Sequence, residues 1–240
     1  GFKPDFTLTY YNIDGKTVIG TQAVEQDAEI EAFVEGVENK VTVADGKKFR
    51  GWSSSLKQDE KKFTTSSVIT SDASLYALVT DIETANATAR YDYNFTKEGF
   101  DINDHEAISV ENGKWHDTTH GWVFESNGKI KVLMGGKGYI KMNLCQYSKT
   151  GKITLLDPKG NEVSSIDAKA TKDGNFGIFQ NESTESGEYT LTFEGGDTYI
   201  HSLSIVNMTN PAFAQNGNWM EVKAGDAQGF MTALEIANGN

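Results

Sequence analysis

The chain has 240 residues, 34 acidic against 22 basic, and a formal charge of −12. Such a surface repels nucleic-acid phosphates unless a local basic stripe overrides it, so nucleic acid is excluded as the expected partner. No apolar run approaches the roughly 20 residues that a membrane-crossing helix needs. One cysteine, Cys145, allows no intrachain disulfide and no cysteine metal cluster, and reads as a strand thiol. Only three prolines beside 24 glycines, with Thr, Val, Ile, Tyr and Phe well represented, lean toward β-structure joined by tight turns.

From the start, Phe6, Leu8 and Tyr10 alternate with polar residues, Asp14-Gly15 supplies a positive-φ turn, and Thr17, Val18 and Ile19 begin a second run. That pattern predicts a β-hairpin. In "DAEIEAFVEGV" Ile30, Phe33, Val34 and Val37 fall at helical spacing behind Asp27, a residue type that caps helices, so a short helix is expected there. "KKFRGW", with Trp52 as a buried anchor, a lysine-rich loop and "SDASLYALV" follow. The opening hairpin, Phe49 with Gly51-Trp52 and the closing "SDASLYALV", over residues 5 to 80, resemble the Listeria-Bacteroides repeat, a small β-grasp-like module of bacterial surface and secreted proteins. The acidic "EQDAEIEAFVEGVE" departs from that family, which more often carries a proline-containing loop at this point. The resemblance implies a module over residues 1–84, and the small polar residues up to Arg90 read as a linker over 85–90.

Beyond Tyr91, short apolar runs recur every 8 to 12 residues between Gly, Asn and Asp: "YDYNF", "AISV", "GWVF", "KIKVLM", "YIKMNL", "KITLLD", "FGIF", "YTLTF" and "YIHSLSIVN". Regular short strands of this kind predict an antiparallel β-sandwich over residues 91–208, with a new element beginning at 209. The fold class expected for the whole chain is therefore mainly β, a β-grasp-like module followed by a sandwich.

The stretch "KWHDTTHGW" sets His116 and His120 four apart. Zinc proteases place two such histidines on one helix face with a glutamate between them as general base. Here aspartate replaces the glutamate and two threonines disfavour helix, so zinc chemistry is not expected and a loop entering a strand is. No metal ligand is assigned. Trp122 then packs inward, while Trp115 could stand exposed at a loop tip and touch a ligand. "DINDHE", Asp101 to Glu106, begins like a calcium loop but lacks the glycine and the distal glutamate, leaving a solvated turn or an irregular structural calcium site. No other cofactor is expected, and the sequence carries no nucleophile-elbow, P-loop or dinucleotide fingerprint.

Period-2 alternation separates Ile130 and Val132 from Lys129 and Lys131, and Ile140, Met142 and Leu144 from Tyr139, Lys141, Asn143, Cys145 and Tyr147. If the two strands are neighbours across "GGKG", they present lysines, an amide and phenol rings on one outer face. Such a face suits a sugar acid: rings stack on pyranose CH faces, the amide orients hydroxyls, and lysines attract carboxylates. An ordinary solvated sheet face is the alternative. Lys131, Tyr139, Lys141, Asn143 and Tyr147 are thus the candidate ligand-binding residues, with Trp115, His120 and His201 as outsiders. His201 shares the parity of Leu203 and Ile205 and is expected as a hydrogen-bonded rim histidine.

"NGKWHDTTHGWVF", "KIKVLMGGKGYIKMNLCQYS" and "GGDTYIHSLSIVN" resemble the non-catalytic β-sandwich that precedes the catalytic domain in pectin-active enzymes of Bacteroides-type bacteria. The resemblance implies a jelly-roll, galactose-binding-like carbohydrate-binding module. The tail "WMEVKAGDAQGFMTALEIANGN" resembles the first strand and helix of a pectinesterase-like β-helix, so residues 209–240 would open that domain, with catalytic residues beyond Asn240. The resemblances imply a non-catalytic region of a secreted, periplasmic or surface-bound bacterial pectinesterase or pectate lyase. Its partners would be plant polysaccharide such as pectin and a tethered catalytic domain, and a Gly1 start agrees with a removed leader. Two competing readings are a spacer or protein-interaction module, and a hydrolase active on its own.

Overall fold

The computed structural model describes residues 5–56, 62–84, 90–146, 151–168, 171–208, 213–216, 219–222, 230–231 and 233–234. The protein is mainly β and divides into two compact units, residues 1–82 with 97–100 and residues 83–96 with 101–240.

In the first unit β1 (Asp5–Tyr11) and β2 (Val18–Glu25) pair antiparallel around a turn in which Gly15 has φ 64° and donates its N–H to the Asn12 carbonyl at 2.9 Å. β3 (Lys47–Ser53) and the two-residue β4 (Lys62–Phe63) precede β5 (Ala73–Asp81), and the sheet order is β2-β1-β5-β3-β4 with β1 and β5 parallel. A parallel pair between antiparallel flanks is the β-grasp arrangement. The helix expected over 27–37 is absent. Asp27 sits at φ 60°, its N–H donates to the Ile69 carbonyl, and Ile69 donates back to Ala28, so this backbone is satisfied by pairing with the segment at 68–69 rather than by a helical turn. A 3₁₀ turn at Glu38–Lys40 is the helical piece of this crossover. Ile30 and Val37 are nonetheless buried, packed with Leu8, Tyr10, Leu75 and Trp52. Tyr10 and Trp52 meet edge to face at 4.8 Å, which accounts for Trp52 as a core anchor.

The second unit is a β-sandwich. Its strands are β6 (Arg90–Asn94), β7 (Ile108–Asp117), β8 (Gly121–Met134), β9 (Gly138–Gln146), β10 (Gly151–Leu156), β11 (Glu162–Ala168), β12 (Thr171–Asn181), β13 (Gly187–Glu194) and β14 (Thr198–Asn207). They hydrogen-bond in the order β11-β10-β13-β8-β14-β9-β12, with β6 on β14 and β7 on β8. β8 merges the runs "GWVF" and "KIKVLM" into one strand bent at Asn127, whose φ is 76°. Its first part, Trp122 to Phe124, pairs with β14, and its last part, Lys129 to Met134, pairs with β13. One strand therefore serves both layers, and the sheet rolls over until β11 meets β12. At that meeting a Cβ on Gly177 would stand 2.1 Å from Ile166 Cδ1, so any larger residue would force the Ile166 side chain to shift. Inward parity buries Ile130, Val132, Ile140, Met142, Leu144, Leu155, Leu191, Ile200, Leu203 and Ile205 almost completely. β11 was not foreseen, because "EVSSIDA" is half polar and only its neighbours make it a strand. β15 (Phe213–Asn216) and β16 (Trp219–Val222) form a separate hairpin.

Candidate functional site

The face that carries polar chemistry is the outer side of β12, β9, β14 and β6. Register places Phe176, Asn143, Ser202 and Asn94 in one cross-strand row, and Ile178, Lys141, Ser204 and Asp92 in the next. A bulge between Ile200 and Ser202 sets the geometry. It inserts His201 as an unpaired extra residue, so Ile200 and Leu203 both stay in the core while His201 turns outward toward Cys145. Simple alternation put His201 on the core side of the strand, and the bulge reverses that.

Between these rows lies a depression of about 560 Å³ lined by Asp92, Asn94, Thr119, Asn143, His201 and Ser204, with Tyr93, Thr96 and Ser202 completing it. Asn143 is half-buried, and its Oδ1 is enclosed without a hydrogen-bond partner. Arg90 Nε donates to both Asp92 oxygens at 2.8 and 3.0 Å, and Ser204 Oγ donates to Asp92 at 2.5 Å, so the one carboxylate in the depression is compensated. Beside it Phe176 is 66% exposed, and Lys141 Nζ stands 4.7 Å from the centre of its ring. His201 Nε2 lies 3.3 Å from Cys145 Sγ, and burial, with His120 nearby, lowers the imidazole pKa against the opposing pull of Asp117. Cys145 itself is fully buried.

At one end of this face the β7–β8 hairpin turns through residues 118–120. Asp117 Oδ1 accepts the backbone N–H groups of Thr119 and His120 at 2.8 and 2.6 Å, closing the turn, and Gly121 resumes the strand at φ 75°. His120 Nδ1 reaches Asp117 at 2.9 Å, and His120 packs against Tyr199 at 5.6 Å and His201 at 6.5 Å between ring centres. The hydrogen bond from His120 holds the Asp117 carboxyl down to about 2. Trp122 is 7% exposed, as a core residue should be, whereas Trp115 is 45% exposed on the edge strand.

The predicted residues therefore separate. Asn143 and His201 line the depression, Lys141 adjoins it, and His120 stands beside it. Lys131 does not belong: β14 lies between β8 and β9, and Lys131 sits about 20 Å along β8 from the part that meets β14. It is engaged instead by Glu111 at 2.6 Å and Glu188 at 3.8 Å. The assumption that β8 and β9 are neighbours across "GGKG" is thus corrected. Tyr139 is corrected as well. It has the outward parity expected, but Val206, Ile178 and Met208 cover it, leaving it 1% exposed and unavailable for stacking. Tyr147 lies outside the described residues. Phe176, Asp92, Asn94, Ser202 and Ser204 were not anticipated. Phe176 is the one with a sequence signal, since "FGIF" alternates and Phe179 takes the core position. The "DINDHE" segment forms a 3₁₀ turn at Ile102–Asp104, capped by the Asp101 side chain accepting from Asn103 N–H at 2.9 Å.

The fold and this face define a β-sandwich with a shallow polar depression on one outer face. No family model and no curated protein matches the sequence. Among solved structures, the chain is similar to the C-terminal family 6 carbohydrate-binding module of LamC, a marine laminarinase from Zobellia galactanivorans, at 9% identity and TM-score 0.36, covering 49% of this chain and 98% of that one. It is also similar to CsCBM6-3 from Clostridium stercorarium, solved with cellobiose, at 10% identity and TM-score 0.36, covering 49% and 93%. A third is a carbohydrate-binding module CBM36 solved with calcium and xylotriose, at 11% identity and TM-score 0.35, covering 48% and 98%. At such identities no residue role transfers.

Proposed function

We propose that the second unit is a non-catalytic carbohydrate-binding module that holds plant polysaccharide, of the pectin class, on the outer face of β9 and β14. The observation that carries this reading is the polar depression lined by Asn94, Asn143, His201 and Ser204, flanked by exposed Phe176 under Lys141. Hydroxyl, amide and imidazole groups suit sugar hydroxyls, an exposed ring offers a stacking surface, and a lysine at its rim favours a uronate carboxylate. The sequence resemblance to the sandwich of pectin-active enzymes supports the same substrate class. It also supports a secreted or surface-bound bacterial parent whose catalytic domain lies beyond Asn240, with a Listeria-Bacteroides-like module in front. In that setting the module raises the effective substrate concentration for its tethered enzyme. Affinity is modest, because an open shallow surface buries little of a sugar chain.

Affinity electrophoresis of the 240-residue chain in homogalacturonan, methylated pectin, neutral galactan and xylan tests the proposal. Retardation by homogalacturonan that Phe176→Ala and Lys141→Ala weaken is the expected result. Retardation by none of the four polymers would favour a spacer or protein-interaction role, and release of methanol or unsaturated ends by the fragment would replace binding with catalysis.

A further inference from the structure

The strand-to-strand turn that closes β7 onto β8 does what a helix was denied. The threonines that disfavour a helix sit in the turn, yet the turn still gathers His116, Asp117 and His120, so that one ligand atom from each lies within 4.8 Å of the others. His116 Nε2 is 3.5 Å from Asp117 Oδ2, and His120 Nδ1 is 2.9 Å from the same oxygen. Donor atoms held tetrahedrally at zinc bond lengths lie about 3.3 Å apart, so small side-chain rotations bring this set into coordination distance. We propose that His116, Asp117 and His120 form a binding site for a first-row transition-metal dication of the zinc class.

Two imidazoles and one carboxylate favour a borderline cation over calcium or magnesium, which prefer all-oxygen shells. The carboxylate is held in place by the two backbone N–H groups of the turn, so it needs little reorganisation to meet a cation. A carboxylate only accepts, so the proton between the two groups sits on His120 Nδ1; metal binding there moves it to Nε2, leaving the neutral imidazole as the ligand. His116 and Asp117 are partly open to solvent, with side-chain exposures of 44% and 41%, so three protein donors leave further coordination positions to water. Among the described residues this is the group of three or more histidine, cysteine or carboxylate side chains that approach closely enough for a shared ion. The site is independent of the glycan reading, although Thr119 of the same turn lines the depression.

The test uses the tag-free, chelator-treated chain titrated with ZnCl₂ by calorimetry, and with CoCl₂ by visible absorption. One equivalent is taken up, Co²⁺ acquires the visible bands of a nitrogen-ligated ion, and His116→Ala weakens Zn²⁺ binding by at least about tenfold. His116 is exposed, so this variant keeps its fold; His120→Asn, checked by circular dichroism, gives a second reading. In imidazole NMR spectra of a chain with only four histidines, His116 and His120 shift on zinc addition while His105 does not. No uptake up to millimolar Zn²⁺, uptake unchanged in His116→Ala, or preference for Ca²⁺ would overturn the site.

Discussion

Asn143→Val separates binding from folding at a single position. The side chain stands in the middle of β9, in register with Phe176 on one side and Ser202 on the other, and its Oδ1 is enclosed with no hydrogen-bond partner. An enclosed, unpaired amide oxygen is worth about 1–3 kcal/mol of lost stability. Valine removes that oxygen, has higher strand propensity, and packs its methyl groups against the Phe176 ring. The depression beside it, about 560 Å³, leaves room for the branched side chain, so overpacking does not offset the gain. The net expectation is a stabilisation of about 1 kcal/mol, which for a unit of this size raises Tm by about 3–5 °C. If the amide is kept for recognition, the same change removes a polar group from the lining of the depression and weakens polysaccharide retardation by roughly tenfold, equivalent to about 1.4 kcal/mol. Thermal unfolding by circular dichroism and affinity electrophoresis on the same preparation read the two effects. A lower Tm would show that Asn143 serves the fold, and a higher Tm with unchanged retardation would remove it from the site.

Phe176→Ala should change stability by less than about 0.5 kcal/mol, because the ring is largely exposed, while weakening glycan retardation; a large loss of stability in urea melts would contradict the register described. Gly121→Ala should destabilise by at least about 2 kcal/mol: φ is 75° and a Cβ would stand 2.2 Å from the Ile200 carbonyl oxygen, and a Tm within a degree of the parent would refute this. Glu83 accepts from His105 Nδ1 at 2.7 Å, Tyr93 Oη at 3.1 Å and Ala107 N–H at 3.2 Å. Burial raises its pKa, but these hydrogen bonds and the imidazole outweigh that and leave it below the ordinary glutamate value. The stability so gained is present above the unfolded-state pKa and is lost as pH falls through the lower folded-state value. Glu83→Gln should cost about 1.5–3 kcal/mol at neutral pH and flatten the decline in stability between pH 5 and pH 3, as read by denaturant titration at each pH (about the range in which a glutamate titrates).

Alternation and turn chemistry determined much of this protein without coordinates. The Asp14-Gly15 hairpin, the succession of short strands after Tyr91, and the inward set Ile140, Met142 and Leu144 all follow from a period of two, which is a property of the backbone. So does the outward parity of Lys141 and Asn143, both of which belong to or adjoin the depression. What a local period cannot supply is the identity of the neighbouring strand. Only the tertiary structure placed β14 between β8 and β9, parting Lys131 from Lys141, and only packing by Val206, Ile178 and Met208 covered the outward-facing Tyr139. The inserted residue at His201 reversed the side on which one histidine stands, because a bulge shifts parity without changing composition. Likewise the segment at 27–37 has helical spacing, but its backbone found better partners across the fold at Ile69. Away from the bulge, side-chain direction was written in the chain, whereas which surfaces meet was decided by contacts between residues far apart in it.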